Sequence, residues 1–236
     1  GLEVNIPQGG PVEFDCKANK CAAAAILKAV TPQQAEPGKR ARIVAEYDYQ
    51  DETGKVLFQA LRYEPKDFKQ RQPDGSGGWV WSLREPLVKQ RPLYHLPEVV
   101  KAVNAERRVY VCEGEKDADN LTALGLCATT CPMGARKWRL EHTNTLRRGV
   151  VVLIPDNDTS GREHVVKAAS LLSHAGASVK VLDLPDLPDQ GGDVSDWLDA
   201  GGTSEELERM ADGAKQFEAP RIELPKEPKD AFHFTD

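Results

Sequence analysis

Acidic side chains follow three apolar runs of this sequence, and their types and spacing are typical of a site for divalent metal ions. Glu113 follows the first run, Asp156 and Asp158 follow the second, and Asp193 and Asp196 come after the third. Unpaired carboxylates that lie close together repel one another, and a divalent cation relieves that repulsion. Carboxylate oxygens without thiols or a histidine pair suit Mg²⁺ or Mn²⁺ rather than zinc. The sequence therefore predicts a magnesium or manganese site, and we expect no zinc in this chain.

The spacing within the motifs supports this prediction. Asp156 and Asp158 are two positions apart, so in extended backbone their side chains point to the same side. Gly114 follows Glu113 directly and leaves space in which a phosphate or a metal ion can approach closely. The alternative is a set of solvated turn residues and helix N-caps, two places where aspartate is common. Because the acids recur after successive runs, we favour the metal site.

The elements that must position these acids are predicted from the apolar runs. Residues 109–112, 150–154 and 179–182 are typical of buried strands, and helical patterns follow over 116–124 and 160–172. Alternating strands and helices indicate a parallel sheet that is covered by helices on both faces. In such a sheet, functional groups gather beyond the carboxyl ends of the strands. We therefore expect the three acidic motifs at one edge of the sheet.

Local signals predict where two of these helices begin. Ser160 and Glu163 have the spacing of a capping box, and so do Thr203 and Glu206. We therefore expect helices that are capped by Ser160 and by Thr203. His142 and His164 lie in helical or loop context, and both are expected to be surface residues.

The preceding part of the chain alternates in the manner of strands. Residues 41–98 contain a β-hairpin pattern with a glycine-containing turn at 51–54. Basic and aromatic residues interleave from Arg62 to Arg91, a composition that suits phosphate binding and base stacking, although charges on a hairpin are often only a solvated face. A second basic cluster surrounds Trp138. The basic candidates for binding the phosphates of nucleotides or nucleic acid are Arg62, Lys66, Lys69, Arg71, Lys137 and Arg139.

Composition excludes several classes of protein. The 236 residues include 31 Lys and Arg against 37 Asp and Glu, a formal charge of −6, and no apolar run approaches the roughly 20 residues of a membrane helix. The first residues have no secretory signal, and five scattered cysteines are typical of reduced thiols. We therefore expect a cytoplasmic protein without a membrane partner. The absence of an initiator Met indicates a fragment. The sequence contains no phosphate-binding-loop motif, so we expect no ATPase motor in this chain.

Three motifs in this order resemble those of a TOPRIM domain. An E-G-x-x-D motif begins at Glu113, a D-x-D motif at Asp156 and a D-V-S-D-W-L motif at Asp193, the last being similar to primase-type members. The resemblance covers about residues 105–210. It implies that Glu113, Asp156 and Asp158 are catalytic, with Asp117 as a secondary candidate. It also implies these metal ligands: Glu113, Asp156, Asp158, Asp193 and Asp196.

The basic region upstream resembles the segment that precedes the TOPRIM domain in DnaG-type primases of bacteria, phages or mobile elements. The fold that this resemblance implies is α/β: a TOPRIM domain, with a parallel sheet flanked by helices, preceded by a small β-rich α+β subdomain. The expected division is an N-terminal extension over 1–40 with a short helix, the β-rich subdomain over 41–98, the TOPRIM domain over 99–213, and a tail or linker over 214–236.

The resemblance implies a DNA primase core that synthesises a primer from nucleoside triphosphates on single-stranded DNA, with Mg²⁺ or Mn²⁺. The expected partners are the single-stranded template, the triphosphates and a replicative helicase, fused or separate. Two alternatives remain open. One is a metal-dependent TOPRIM nuclease, and the other is a non-catalytic module of a larger replication protein that binds single-stranded nucleic acid.

Overall fold

Two compact units make up the chain, Gly1–Arg42 and Ile43–Asp236. In the first unit, strand β1 (Leu2–Asn5) pairs antiparallel with strand β2 (Glu13–Cys16). The short helix predicted within residues 1–40 lies outside the described residues. The computed structural model describes residues 2–5, 13–16, 41–134, 137–188 and 191–220.

The second unit begins with a four-stranded sheet of hairpins. Its strands are neighbours in sequence order: β3 (Arg42–Gln50), β4 (Val56–Glu64), β5 (Asp67–Pro73) and β6 (Trp79–Val80). The predicted turn joins the first two strands, and the Asp51 carboxylate accepts hydrogen bonds there from the amides of Thr53 and Lys55. Gly54 adopts φ +89° in this turn, a conformation that suits glycine.

A second, wholly parallel sheet follows, as the sequence predicts. Its strands are β7 (Arg108–Val111), β8 (Ala128–Thr129), β9 (Val150–Leu153) and β10 (Ser178–Val181), in the order β10-β9-β7-β8. The Phe217 amide donates to the Val179 carbonyl, so residues beyond 213 extend along the outer edge of β10. The helices are α1 (Leu96–Asn104), α2 (Glu115–Ala123), α3 (Leu140–Thr145), α4 (Thr159–His174), α5 (Val194–Asp199) and α6 (Ser204–Gly213).

Each face of the parallel sheet has its own apolar core, because alternate side chains of a strand point to opposite faces. Val109 and Val111 of β7 pack on one face, together with Leu172 of α4. Tyr110 packs on the other face, in a cluster that also contains Tyr49 of the hairpin sheet. The hairpin sheet therefore contributes its aromatic residues to the core on the side of α2.

Helix starts follow the sequence prediction in one case and depart from it in another. Thr203 caps α6, with its hydroxyl accepting from the Glu206 amide at 3.2 Å, as predicted. The cap of α4 is Asp158, which accepts from the Gly161 amide at 2.7 Å, so the prediction of a Ser160 cap is wrong. The side chain that satisfies the free amides of this helix thus belongs to the D-x-D motif itself.

The prediction that His142 and His164 are surface residues is also wrong, because both rings are buried. The His142 ring accepts at Nδ1 from the Arg139 amide and donates from Nε2 to the Arg91 carbonyl. Burial lowers the pKa of both histidines, which favours their neutral forms. Within the described ranges, no helix has both the length and the apolar character needed to cross a membrane.

Candidate active site

A crevice forms between β7 and β9, where the strand order of the parallel sheet reverses. From β7 the chain passes through α2 to β8 on one side, and from β9 it passes through α4 to β10 on the other. The loops after β7 and β9 therefore separate, and such switch points are where ligands bind in open α/β sheets. Glu113 follows β7 and Asp156 follows β9. The two most central acids of the sequence prediction thus lie on either side of this crevice.

Hydrogen bonds hold Glu113 in place. Its Oε1 accepts from the backbone amide of Asp156 at 3.2 Å, which connects the two strand ends. Its carbonyl accepts from the Thr130 hydroxyl at 2.9 Å, which fixes the backbone against the residues after β8. The carboxylate therefore has a defined orientation before any ligand binds.

Gly161 makes room for this arrangement. A β-carbon placed at this position would lie 2.1 Å from Glu113 Oε1 and 2.8 Å from the Asp156 carbonyl oxygen. Real β-carbons essentially never come so close to other atoms, so a side chain here would displace the carboxylate or the strand end. Glycine in the first turn of α4 is thus part of the site, because it permits the closest approach of the helix to Glu113.

Asp193 and Asp117 complete the acidic wall. Asp193 caps α5 by accepting from the Asp196 amide at 2.9 Å. Asp117 is buried in the first turn of α2, where it accepts from the Ser195 hydroxyl at 2.5 Å and from the Ser195 amide at 3.1 Å. This pair of bonds joins α2 to α5 and keeps both carboxylates at the same edge of the sheet.

These acids share a cavity of about 250 Å³ with residues of the hairpin sheet. One side of the cavity is acidic, and the other carries cations and aromatic rings. The acidic side chains that line the cavity are Glu113, Glu115, Asp117, Asp156 and Asp193. The opposing side chains include Tyr47, Arg62, Lys66 and Phe68, whereas Lys116 lines the cavity from α2, beside the acids.

The acidic wall is strained electrostatically. Burial and the neighbouring carboxylates raise the pKa of Asp156 to about 8, with Glu113 the strongest of these neighbours. Burial also raises the pKa of Glu113, and it raises the pKa of Asp117 to about 6 against the opposing effect of the Ser195 hydrogen bonds. Such shifts are frequent at functional sites, where charges of one sign are gathered for a ligand of the other sign. The wall therefore favours a bound cation.

The donor set fits a hard divalent ion chemically. It consists of carboxylate oxygens, which Mg²⁺ and Mn²⁺ prefer, and magnesium sites often use only one or two carboxylates with substrate phosphates. Within the part of the chain that the structure describes, no three Asp, Glu, His or Cys side chains form a ready-made metal cage. The arrangement is thus that of an open acidic wall rather than a closed metal centre.

Two predicted ligands lie outside the cavity. Asp158 is exposed and caps α4, although its charge still contributes to the raised pKa of Glu113 and of Asp156. Asp196 is exposed, and its carboxylate accepts from the Asp193 amide at 3.1 Å. The structure therefore brings Glu113, Asp117, Asp156 and Asp193 together and places Asp158 and Asp196 in capping positions beside them.

The basic candidates of the hairpin divide between two faces of its sheet. Arg62 pairs with Phe68 across β4 and β5, and cross-strand partners point to the same face, here toward the acidic wall. Lys69 is one position beyond Phe68 and therefore points to the opposite face, where its Nζ lies 5.0 Å from the centre of the Tyr63 ring. Arg71 lies on that opposite face too.

Arg71 is engaged by its neighbours. Its guanidinium lies 4.3 Å from the centre of the Trp79 ring and donates to Glu46 Oε2 at 2.8 Å. It also donates to Gln59 Oε1 at 2.6 Å. The structure thus does not bring Lys69 and Arg71 to the acidic cavity, and Arg71 has the contacts of a residue that stabilises the sheet.

The second basic cluster lies away from the cavity wall as well. Lys137 is exposed, and Arg139 donates to the carbonyls of Val88 and Lys89. Trp138 between them is buried, and its indole donates to the Thr143 hydroxyl at 2.9 Å. Arg139 therefore anchors the chain that leads from the hairpin sheet into the parallel sheet.

Sequence reasoning missed several residues of the cavity. Tyr47, Phe68 and Lys116 line it, and none was a candidate. The position of Lys116 could have identified it, because it lies inside the first acidic motif, between Glu115 and Asp117. Tyr47 and Phe68 had no comparable signal, because their strand partners decide which way they point.

Two buried tyrosines hold α2 in place beside this cavity. The Tyr49 hydroxyl donates to Glu115 Oε1 at 2.8 Å, and both groups are buried. The Tyr94 hydroxyl donates to Asp119 Oδ1 at 2.9 Å one turn further along α2. The Tyr49 bond fixes α2, which carries the first acidic motif, against the hairpin sheet, which carries Arg62. The Tyr94 bond fixes α2 against the segment that precedes α1.

Comparison with known proteins agrees with this architecture. The Toprim-like family model matches residues 110–198. A comparison with curated protein sequences finds no match. The fold is similar to the E. coli primase catalytic core, with 22% identity and a TM-score of 0.53, covering 72% of this chain and 52% of the other.

Two further primase structures are similar. The Aquifex aeolicus primase, comprising zinc-binding and RNA polymerase domains, has 21% identity and a TM-score of 0.57, with 83% of this chain and 50% of the other covered. A DnaG primase catalytic domain bound to single-stranded DNA has 23% identity and a TM-score of 0.53, with 72% and 53% covered. The chain thus spans about half the length of the solved structures that it matches. The predicted resemblance is confirmed: residues 110–198 match the Toprim-like family model, and the fold is similar to that of DnaG primase catalytic cores.

Proposed function

We propose that this chain is the catalytic core of a DNA primase, which synthesises a primer from nucleoside triphosphates on single-stranded DNA. The observation that supports this most is the cavity in which Glu113, Asp156 and Asp193 face Arg62 and Lys66. A divalent cation bound by the acids, with a triphosphate between that cation and the basic side chains Arg62 and Lys66, would neutralise the charges of both walls. The Toprim-like match and the primase fold support the same reading.

The proposed reaction is phosphoryl transfer. The 3′-hydroxyl oxygen of the growing primer attacks the α-phosphorus of a nucleoside triphosphate, the bond from that phosphorus to the bridging oxygen breaks, and pyrophosphate leaves. The hydroxyl proton passes to a base. Bound Mg²⁺ or Mn²⁺, held by Asp156 with Glu113 and Asp193, would supply charge neutralisation at the phosphates.

The side chains of this chain have distinct tasks in the proposal. Glu113 is oriented by the Asp156 amide, and its raised pKa suits a carboxylate that takes up a proton. Arg62 and Lys66 pair with phosphate oxygens from the opposite wall. Asp158, which caps α4, and Asp196, whose carboxylate accepts from the Asp193 amide, remain proposed metal ligands beside the acidic wall.

The remaining parts of the proposal concern organisation and partners. Residues 41–98 would form the N-terminal subdomain of the core and residues 99–213 its TOPRIM domain, with a tail from 214. Lys69, Arg71, Lys137 and Arg139 would contact template further from the reacting atoms. A replicative helicase, fused or separate, remains the proposed protein partner, and a phage or mobile element is one proposed source.

Nucleotide incorporation tests the proposal and separates it from the alternatives. The chain is incubated with labelled triphosphates, Mg²⁺ or Mn²⁺, and either bare or pre-primed single-stranded DNA, beside the double variant Asp156→Ala/Asp158→Ala. Products that require the wild-type acids support the primase. Metal-dependent shortening of the template would instead identify a nuclease, and template binding without any turnover would identify a non-catalytic module.

A further inference from the structure

The acidic cavity continues into a second, larger groove. This groove has a volume of about 540 Å³ and runs along the outer end of the hairpin sheet. The two spaces adjoin because they have four lining residues in common: Tyr47, Arg62, Lys66 and Lys116. Three of the four are cations, so positive charge is concentrated where the acidic cavity opens into the groove.

Lys116 occupies a singular position among these cations. Arg62 lies in β4 and Lys66 in the turn between β4 and β5, whereas Lys116 lies in the first turn of α2, three positions after Glu113. It is the cation that the acidic motif itself contributes to the cavity wall. A ligand that is bound between the two walls would therefore meet positive charge from both sides.

The neighbours of Lys116 along the helix have other partners. Glu115 is buried and accepts from Tyr49, and Asp117 is buried and accepts from Ser195. Lys116 is exposed between them and forms no ion pair with any residue that the structure describes. Its attraction lowers the pKa of Asp117 less than the hydrogen bonds from Ser195 do. The ammonium group is thus available to an anion in the cavity.

We propose that Lys116 is a specificity-determining residue, which binds the terminal phosphates of a nucleoside triphosphate and so selects triphosphates over monophosphates. This inference rests on the proposed function. The ammonium group offers three donors on a flexible stem and is well suited to phosphate oxygens. A cation held by the acids would lie near the α-phosphate, where the bond breaks. Lys116 would bind the phosphates that leave as pyrophosphate.

Binding measurements test this assignment without requiring turnover. Affinities for ATP and for AMP are measured by titration calorimetry with Mg²⁺ present, for the wild type and for Lys116→Gln, Lys116→Arg and Lys101→Gln. Lys101 is an exposed lysine on α1 that lines neither space, so its variant is the matched control. Thermal melting of each variant checks that the fold is retained.

We expect Lys116→Gln to weaken ATP binding about tenfold, the loss of one charge-assisted hydrogen bond, and to leave AMP binding within twofold. Lys116→Arg should restore most of the ATP affinity, and Lys101→Gln should behave as the wild type. In incorporation assays the KM for ATP should rise about tenfold while kcat stays within threefold. Equal ATP affinity of the wild type and Lys116→Gln would overturn the inference, and so would equal weakening of ATP and AMP.

The outcomes distinguish this inference from the proposed function. If the wild type incorporates nucleotides and Lys116→Gln does so with the same KM, the role of Lys116 is refuted and the primase stands. If the wild type incorporates nothing but Lys116→Gln has lost ATP affinity selectively, the role of Lys116 in triphosphate binding stands and the primase is refuted. A wild type that binds no ATP refutes the role of Lys116.

Discussion

The replacement Asp156→Asn should stabilise the metal-free protein at neutral and alkaline pH. In the wild type, burial and the charges of four neighbouring carboxylates raise the pKa of Asp156 to about 8. These neighbours are Glu113, Asp117, Asp193 and Asp158. Asparagine has nearly the same shape and no charge. Removing the charge therefore relieves repulsion without creating a cavity, although we expect it to abolish nucleotide incorporation.

The size of the effect follows from the pKa. The ordinary aspartate value is 3.8, so the shift is about four units, and at about 1.4 kcal/mol per unit the upper bound is about 6 kcal/mol. Because the carboxylate is only partly buried, solvent screening reduces this to about 1–2 kcal/mol. For a protein of this size that corresponds to a rise in Tm of roughly 2–8 °C.

The pH dependence has a definite sign. A carboxyl group whose pKa is higher in the folded state binds its proton more tightly there, so its stabilisation is complete below about pH 4 and is lost as the pH rises through about 8. Metal-free wild type should therefore lose stability relative to Asp156→Asn between pH 5 and pH 8.5. Added Mg²⁺ should stabilise the wild type and leave the variant nearly unchanged.

Thermal melts at pH 5 and pH 8.5, either with a chelator or with Mg²⁺ in place of the chelator, measure these differences. Asp199→Asn is the matched control, since Asp199 is exposed at the end of α5 and does not line the cavity. Its Tm should change by less than about 2 °C, as for an ordinary surface substitution. A metal-free Asp156→Asn protein that melts below the wild type at pH 8.5 would show that the charge of Asp156 does not destabilise the fold.

Two further predictions concern the residues that hold the site together. Gly161→Ala should reduce nucleotide incorporation at least about 100-fold, because the new methyl group collides with Glu113 Oε1. Gly213→Ala is the control and should leave incorporation unchanged, because the space around its β-carbon is open. Equal activity of the two variants would contradict the role of Gly161. Tyr49→Phe should reduce the free energy of unfolding by about 1–3 kcal/mol, because Glu115 stays buried without this donor. Since the Tyr49 hydrogen bond lowers the pKa of Glu115, the loss should be larger at pH 8 than at pH 4.5 in denaturant titrations, and a larger loss at pH 4.5 would be inconsistent with it.

The parallel sheet and its acidic edge were predictable because their signals are local. The run at 150–154 is apolar enough to be buried on both faces, and the acids follow it directly in the chain. Parallel strands then place Glu113 and Asp156 at the same edge whatever the details of the helices. The prediction needed only the order of strands and helices along the chain, which apolar runs and helical periodicity indicate.

The orientation of the basic residues was not predictable, because it depends on strand pairing. β5 consists mainly of polar residues and gave no strand signal, so its register with β4 was unknown. The pairing of Arg62 with Phe68 decides that Lys69 and Arg71 point away from the acids. A sequence pattern that treats all basic residues of a segment alike cannot separate these two faces.

The buried histidines illustrate a second limit. His142 lies in a short helix with polar neighbours, and its burial depends on the carbonyl of Arg91, about fifty positions earlier in the chain. Such a partner is supplied by tertiary structure alone. The same holds for Asp117, whose place in the site depends on Ser195 of α5.

Primer elongation and pyrophosphate release, measured together in one reaction, show directly whether this chain polymerises nucleotides. The reaction contains pre-primed single-stranded DNA, triphosphates and Mg²⁺ or Mn²⁺, with Asp156→Asn and Asp199→Asn in parallel. The proposed function requires one pyrophosphate per nucleotide added for the wild type and Asp199→Asn, and neither product for Asp156→Asn. Elongation that persists in Asp156→Asn, or a folded wild type that adds no nucleotide with either metal, would contradict it.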